Sequence, residues 1–155
     1  QGEGEIFPPV HESILRLIGA SGTDLRGSHA VIIANSDTFS GPLTRLLEKG
    51  GSIVATMSAD DLDSDVLKNA DIVVIAIGRA GFLKREMIKD GACVIDVGTN
   101  RLTDGKIVGD VDAENMKNAT GWLSPVPGGV GPLTVALLLN NVLKLAKRRT
   151  TSLHR

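Results

Sequence analysis

Four short apolar runs, rich in β-branched residues and separated by similar intervals, leave few possible folds for this chain of 155 residues. Each run is almost continuously apolar, so both of its faces must be covered, as in a parallel sheet between two layers of helices. The intervals between the runs fit helices joined by right-handed crossovers. We therefore predict a doubly wound, mostly parallel α/β sheet with flanking N- and C-terminal helices, and strands at 30–34, 52–55, 72–77 and 92–97.

Helix signals lie between and beside these strands. Helix-ending glycines and helix-starting acidic residues predict connecting helices at 42–47, 60–69 and 82–89. Flanking helices are predicted at 8–19, ended by Gly19, and at 132–147, begun by Pro132, with a basic tail at 148–155. Apolar residues of the second flanking helix recur on one face at helical spacing, typical of a core-facing side: Val135, Leu138, Leu139, Val142 and Leu145.

The length of the chain predicts a single domain across 1–155. Within it, Asp104-Gly105 is a typical hairpin turn between 101–102 and 106–108. The hairpin would either extend the edge of the sheet or form a separate arm.

Composition and charge exclude several classes of protein. Hydrophobic residues make up 42% of the chain and charged residues 23%, as in ordinary globular proteins. A formal net charge of -1 provides no basic face for nucleic acid or an anionic membrane. No run approaches the roughly 18 apolar residues of a membrane span, and the N-terminus lacks both an initiating Met and the basic start of a signal peptide. We therefore expect a fragment with no membrane or nucleic-acid partner.

Cysteine and histidine offer little chemistry. The single cysteine, Cys93, lies inside an apolar run and is expected to be a small buried hydrophobe, which is compatible with a reducing compartment. His11 and His29 are too far apart in the sequence to suggest a metal pair or a catalytic triad, so we predict no metal site.

Glycines and small polar residues follow each predicted strand. In a doubly wound sheet, ligands bind beyond the carboxyl ends of the strands. Those ends are followed by Asn35-Ser36-Asp37, Thr56-Met57-Ser58, Gly78-Arg79-Ala80 and Gly98-Thr99-Asn100. Simple turn formation explains these residues equally well, and the G-x-G-x-x-G fingerprint is absent after the first strand. There we expect Asp37 to cap the following helix.

The segment Ser124-Pro125-Val126-Pro127-Gly128-Gly129-Val130-Gly131-Pro132 is the most informative stretch. Its three prolines fix the backbone, while its three glycines permit positive φ and close approach to a neighbour. The segment leads into a predicted helix N-terminus, where anions bind readily. A connector rarely needs both residue types, so we predict a rigid loop that contacts a ligand.

Three ordered segments carry a resemblance to a known family: Val94-Ile95-Asp96-Val97-Gly98-Thr99-Asn100-Arg101, Asp104-Gly105-Lys106-Ile107-Val108-Gly109-Asp110-Val111-Asp112 and Pro125-Val126-Pro127-Gly128-Gly129-Val130-Gly131-Pro132. The chain resembles the C-terminal half of the methylenetetrahydrofolate dehydrogenase/cyclohydrolase family over most of 2–146. The resemblance implies a Rossmann-like domain. Together with an N-terminal folate domain, it would oxidise 5,10-methylenetetrahydrofolate with NADP or NAD and hydrolyse the methenyl product.

The resemblance also implies site residues, partners and a compartment. The expected cofactor-binding residues are Ala34, Asn35, Ser36, Ser58, Gly78, Gly98 and Thr99. The expected folate-side loop consists of Pro125, Pro127, Gly128, Gly129, Val130 and Gly131. A homodimer formed through the cofactor domains is expected, with tetrahydrofolate as substrate and a cytoplasmic location; an organelle such as the mitochondrion stays open.

Departures from the family pattern concentrate at the first strand exit. Where the family has Gly-Arg-Ser, this chain has Ala34-Asn35-Ser36; where it has Val-Gly-x-Pro, this chain has Phe39-Ser40-Gly41-Pro42. Thr99 replaces an isoleucine on the nicotinamide side, and Pro8-Pro9-Val10-His11 replaces Pro-Cys-Thr-Pro. Losing the arginine removes bidentate recognition of a phosphate. We therefore expect NAD to bind at least as well as NADP.

The family's catalytic Tyr-x-x-x-Lys motif belongs to the N-terminal half, and this chain contains no tyrosine. We therefore assign no catalytic residue here and expect no turnover by these 155 residues alone. Asp96 is interpreted as a turn-binding carboxylate rather than a catalytic acid. The alternative function is a degenerate cofactor domain with a non-catalytic role in assembly or regulation. A phospho-receiver domain is disfavoured, because no acidic pair follows the first strand.

Overall fold

A parallel five-stranded sheet forms the centre of the computed structural model, which describes residues 7–118 and 121–152. The strands are β1 (His29–Ala34), β2 (Ile53–Met57), β3 (Ile72–Ala76), β4 (Cys93–Asp96), β5 (Asn100–Arg101), β6 (Ile107–Val108) and β7 (Trp122–Leu123). The sheet has the order β2-β1-β3-β4-β7, and every neighbouring pair is parallel. The predicted fold class and the four predicted strands are confirmed. The short β7, which has no apolar run to announce it, was missed.

Both faces of the sheet are buried, as the continuous apolar runs require. Val31, Val73 and Val94 lie on one face, where Leu67, Leu83 and Met116 also pack. The alternate residues of the same strands, such as Ile32 and Val74, lie on the other face. That second face is covered from α1 (Pro9–Ser21), α2 (Asp37–Lys49) and the start of α4 (Val130–Ser152) by Ile14, Ile18, Leu43, Leu47 and Val130.

The long helices extend beyond their predicted bounds. Helix α1 continues through Gly19 and ends at Gly22, whose φ of 79° is left-handed. Gly19 is exposed, and a glycine inside a helix costs only about 1 kcal/mol. Helix α4 begins two residues before Pro132 and includes Arg148 and Arg149, which were predicted to lie in a tail. The start of α2 likewise lies upstream of the prediction.

The first sheet face is covered largely by irregular chain, and here the helix predictions were wrong. The segment predicted as a helix at 60–69 contains only α3 (Ser64–Lys68), because Asp63 caps it with bonds from the N–H groups of Asp65 and Val66, at 3.0 and 3.1 Å. The segment at 82–89 contains only a 3-10 turn at Arg85–Met87. Its Leu83 instead forms a parallel β-bridge with Val111.

Helix α4 packs against α1 through a different side from the predicted one. Val130, Leu137 and Asn141 are buried, and the Thr134 hydroxyl lies 2.9 Å from that of Ser13. The predicted core residues Val135, Leu138, Leu139, Val142 and Leu145 are instead 51 to 65% exposed. The exposed side of α4 is more apolar than its buried side, so the hydrophobic periodicity of the sequence predicted the wrong side as core. Despite these leucines, no helix of the part described is long and apolar enough to cross a membrane.

The predicted hairpin is confirmed and forms an arm. Strands β5 and β6 pair antiparallel as a separate two-stranded sheet rather than at the edge of the main one. The N–H of Leu102 donates to the carbonyl of Lys106 at 2.9 Å, and Gly105 supplies the turn with a φ of 85°.

Candidate cofactor-binding site

The expected binding residues follow the carboxyl ends of strands that run in one direction, so they lie along one edge of the sheet. Ala34 ends β1, and Asn35 and Ser36 lead into α2. Ser58 follows β2, Gly78 lies just beyond β3, and Gly98 and Thr99 follow β4. The loop that contains Pro125, Pro127, Gly128 and Gly129 follows β7, and Val130 and Gly131 begin α4.

At the first exit, the N-terminus of α2 points beyond the sheet. Ser36 is the N-cap, without a side-chain capping bond, and its carbonyl accepts the N–H groups of Phe39 and Ser40 at 3.0 Å. Asp37 is therefore the first helical residue and not the cap that we expected. The N–H groups of Asp37 and Thr38, which precede Phe39, have no carbonyl within the helix to pair with, and such free N–H groups at a helix N-terminus are suited to a phosphate.

Asn35, at the position of the family arginine, braces two neighbouring strand exits. Its Nδ2 donates to the carbonyl of Ile77 at 3.1 Å, from the end of β1 to the end of β3. These two strands form the point at which the strand order reverses. A neutral amide engaged in this way adds no positive charge to the site.

Two buried carboxylates hold the exits of β3 and β4. Asp110 accepts the N–H groups of Ile77 and Gly78 at 2.7 and 3.0 Å, and its other oxygen accepts the amide of Asn100 at 2.8 Å. Asp96 accepts the N–H groups of Gly98, Asp110 and Val111 at 2.9 to 3.0 Å. Both carboxylates are at most 3% exposed. We call this pair the carboxylate lock.

The lock explains two glycines of the family motifs. A Cβ on Gly98 would overlap the carboxylate of Asp110, and a Cβ on Gly109 would overlap that of Asp96. Burial raises the pKa of Asp96. The three N–H donors act in the opposite direction and lower this pKa, whereas the negative charge of Asp110 raises it. The expectation that Asp96 is a turn-binding carboxylate is confirmed by its three bonds. Asp110 was missed as a site residue, because its partners at β3 lie more than 30 residues away.

The proline- and glycine-rich loop is anchored to the lock. The buried Ser124 hydroxyl accepts the N–H of Asp96 at 2.8 Å. Beyond it, the Val126–Pro127 peptide is cis, and Gly128 has a φ of 116°. A Cβ on Gly129 would lie 2.6 Å from the carbonyl oxygen of Pro125. The loop is therefore tightly packed, and its shape is determined by its backbone.

Cavities lie on both sides of this loop. One, of about 160 Å³, separates the loop from Gly98 and Thr99. The other, of about 740 Å³, lies between the loop and the hairpin arm, and the charged side chains of Lys84, Lys106 and Asp112 line it. The first joins residues expected on the cofactor side to residues expected on the folate side.

An ion pair lies at the opposite end of the same edge. The guanidinium of Arg79, which follows Gly78, binds both carboxylate oxygens of Asp60 at 2.8 and 3.1 Å. Its central carbon lies 5.9 Å from the centre of the Phe82 ring. The hydrogen bond and the charge of Arg79 lower the pKa of Asp60, and Asp60 in turn raises the pKa of Arg79. Sequence reasoning did not predict this pair, and no motif announces it.

No three His, Cys, Asp or Glu residues in the part of the chain that the structure describes are grouped to hold a metal ion. Cys93 is buried as expected, and burial raises the pKa of its thiol. Backbone amides, glycines, hydroxyls, the carboxylate lock and one ion pair lie along the carboxyl edge of the sheet.

Comparison with known proteins places these features in a family. Residues 8–150 match the model of the tetrahydrofolate dehydrogenase/cyclohydrolase NAD(P)-binding domain. The bifunctional protein FolD of Aliarcobacter butzleri is 46% identical over 145 residues, which is 92% of this chain and 50% of that protein. The corresponding protein of Campylobacter hominis is 44% identical over 137 residues, covering 88% of this chain and 48% of its own length.

Solved structures agree. The bifunctional FolD enzyme of Campylobacter jejuni, a methylenetetrahydrofolate dehydrogenase/cyclohydrolase, has a TM-score of 0.85 and 40% identity, covering 92% of this chain and 51% of the other. The FolD of Trypanosoma brucei, complexed with NADP cofactor and inhibitor, has a TM-score of 0.84 and 33% identity, with the same coverage. The chain spans about half the length of the curated relatives it matches. It belongs to the NAD(P)-binding domain family of the tetrahydrofolate dehydrogenase/cyclohydrolases.

Proposed function

We propose that this chain is the cofactor-binding half of an enzyme that oxidises 5,10-methylenetetrahydrofolate with NAD or NADP and hydrolyses 5,10-methenyltetrahydrofolate. The observation that carries the proposal is the crevice of about 160 Å³, in which the rigid loop faces Gly98 and Thr99 at the carboxyl edge of the sheet. The relatives named above are bifunctional proteins, and they lend no support to the alternative of a non-catalytic cofactor domain.

The residues along this edge fit a dinucleotide. Gly98 lines the crevice, and a Cβ on Gly78 would meet no atom within 4 Å. The N-terminus of α2 is suited to a pyrophosphate. We assign Ala34, Asn35 and Ser36 to the pyrophosphate, Ser58 to the adenosine side, and Gly78, Gly98 and Thr99 to the nicotinamide side. The folate-side wall is assigned to Pro125, Pro127, Gly128, Gly129, Val130 and Gly131.

The cofactor, when bound, supplies the hydride acceptor. This chain's own residues bind it, orient it and form one wall that excludes water. None is assigned to move a proton, because the Asp96 carboxylate is engaged with three N–H groups. Holding the cofactor and the folate in the right orientation can lower the activation barrier by about 7 to 11 kcal/mol. A chain that contacts the folate from one side only should lose most of this effect. The catalytic group and the second wall would come from a folate-binding half.

The exposed stripe of α4, defined as Val135, Leu138, Leu139 and Val142, is the surface on which we place that half. An apolar side of a helix is typically packed against another element, and α1 covers a different side of α4 and leaves this stripe exposed. The buried Asn141 donates to the carbonyl of Phe7 at 3.2 Å, but its own amide oxygen has no hydrogen-bond partner. Helix α4 therefore lies beside the residues that lead into α1.

The proposed assembly is a homodimer formed through the cofactor domains. Its proposed location is the cytoplasm. The outer strand β2 is an unpaired edge whose Ile53 is 60% exposed, and the β5–β6 arm projects separately. Unpaired edges and arms are ready sites for a second copy. Sedimentation at high concentration should show the dimer, and a strict monomer would contradict it.

Reconstitution tests the proposed function. The chain alone should give no cofactor-dependent oxidation of methylenetetrahydrofolate, and no hydrolysis of methenyltetrahydrofolate above the spontaneous rate. The same chain joined to the N-terminal half of the Campylobacter jejuni relative should give both. Turnover by the chain alone, or none by a joined protein that binds both substrates, would contradict the proposal.

A further inference from the structure

The ion pair between Asp60 and Arg79 lies where a dinucleotide-binding sheet recognises the adenosine ribose. Asp60 comes two residues after Ser58, beyond β2, and Arg79 comes directly after Gly78, beyond β3. Strand β1 lies between these two strands, so the pair spans the exit that leads into α2. In such sheets, an acidic residue about 20 positions beyond the first turn binds the ribose 2'-hydroxyl of NAD, whereas an arginine nearby accommodates the 2'-phosphate of NADP.

The chemistry of the pair favours a hydroxyl over a phosphate. The carboxylate of Asp60 is 78% exposed, so it has room to accept a hydrogen bond from a hydroxyl, and its charge repels a phosphate. Arg79 is the cation that a phosphate would need here, but both of its Nη atoms are already bound to Asp60. A 2'-phosphate would have to displace the carboxylate from this bidentate fork before it could use the arginine.

The neighbouring polar residues do not replace the missing charge. Asn35 directs its amide to the carbonyl of Ile77, and Ser58 offers a neutral hydroxyl. Neither supplies the charge-assisted bonds that bind phosphate strongly.

We propose that Asp60, by holding Arg79, is the specificity-determining residue that makes this domain prefer a dinucleotide with a free 2'-hydroxyl, NAD, over its 2'-phosphorylated form, NADP. The proposal rests on the proposed function, because it assumes that a nicotinamide dinucleotide occupies this edge of the sheet.

Calorimetric titration of NAD and of NADP into the wild-type chain and into Asp60→Asn tests it. The wild type should bind NAD more tightly. Asp60→Asn should tighten NADP by about tenfold, the effect of one charge-assisted bond, and should weaken NAD. Asp61→Asn removes the same charge from the adjacent exposed residue and should leave the ratio of the two affinities unchanged. All three side chains of the test, including Arg79, are at the surface, so folding is not at risk.

Arg79→Gln completes the cycle. In the wild-type background it should leave the preference for NAD, and in the Asp60→Asn background it should abolish the gain in NADP affinity. Binding of both cofactors with a ratio that Asp60→Asn does not alter, or that Asp61→Asn alters equally, overturns the specificity proposal alone. Binding of neither cofactor by any variant overturns the proposed function with it.

Discussion

The two halves of the carboxyl edge are built differently. At the exits of β3, β4 and β7, the carboxylate lock and the Ser124 hydroxyl hold backbone groups in place from a fully buried position. At the exit of β2, the surface is formed by exposed side chains, and the ion pair joins Asp60 there to the exposed Arg79 beyond β3. The buried half contains most of the motifs shared with the family, whereas the departures concentrate at the exit of β1, between the two halves, with Thr99 as a further one beyond β4.

This difference follows from what each half must do. Backbone held by buried carboxylates tolerates few changes, because a single Cβ on Gly98 would overlap the Asp110 carboxylate. Side chains that read a phosphate or a hydroxyl at the surface can be exchanged without loss of folding. A domain can therefore keep its nicotinamide side while its preference for one dinucleotide changes.

The largest expected effect comes from opening the lock. Asp110→Ala leaves two backbone N–H groups and the Asn100 amide without their buried acceptor, and it should lower the free energy of unfolding by about 3 to 5 kcal/mol. Urea unfolding measures the loss. Asp90→Ala, which removes an exposed pair with Arg85, should cost less than about 1 kcal/mol. Equal losses in the two variants would show that the lock is not a special support.

A smaller effect is expected from a methyl group on Gly98. Gly98→Ala should destabilise the fold by about 1 to 3 kcal/mol through overpacking against Asp110, and should weaken binding of both cofactors. Gly19→Ala is the matched control, because Gly19 is helical and exposed and a Cβ added there would meet no atom within 4 Å. It should stabilise the chain by up to about 1 kcal/mol. If a folded Gly98→Ala variant bound both cofactors as tightly as the wild type, Gly98 would not be part of the binding site.

The exposed stripe of α4 is tested next. Leu139→Glu should leave the stability of the chain unchanged, because the side chain is 65% exposed. It should weaken association with the separately produced N-terminal half of the Campylobacter jejuni relative by about tenfold or more, the effect of losing one leucine from an apolar contact. Leu102→Glu makes the same change on the hairpin arm and should leave association intact. Equal effects of the two changes would place the contact elsewhere.

The smallest expected effect concerns His11, which is buried between α1 and the start of α2. Its Nε2 bonds to the Phe39 carbonyl at 3.0 Å, and its Nδ1 has no hydrogen-bond partner. Burial lowers the pKa of His11 from 6.5, so the unfolded chain holds the proton more tightly. Stability is then fully present above pH 6.5 and falls as the pH drops through the folded-state pKa. His11→Gln should flatten this slope between pH 5 and 7, and His29→Gln, at an exposed position, should not.

Local patterns predicted most of the sheet, because strands buried on both faces are continuous apolar runs and Asp104-Gly105 specifies its own turn. They failed where contacts with residues far away in the sequence determine the local structure. Leu83 pairs with the segment at Val111 instead of forming a helix, and α1 selects the less apolar side of α4. The backbone positions of the site were predicted from strand ends. The roles of Asp110 and Asp60 were not, because each depends on a partner 19 or more residues away.

The central claim is that a nicotinamide dinucleotide lies along the carboxyl edge of this sheet, and amide chemical shifts test it most directly. Adding NAD to the isotope-labelled chain should shift the amides of Ser36, Ser58, Gly78, Gly98 and Thr99, together with those of Gly128, Gly129 and Gly131. The amides at the opposite ends of the strands, such as His29 and Ile53, should stay in place. Shifts confined to those opposite ends, or no shifts at millimolar NAD and NADP, would contradict the account.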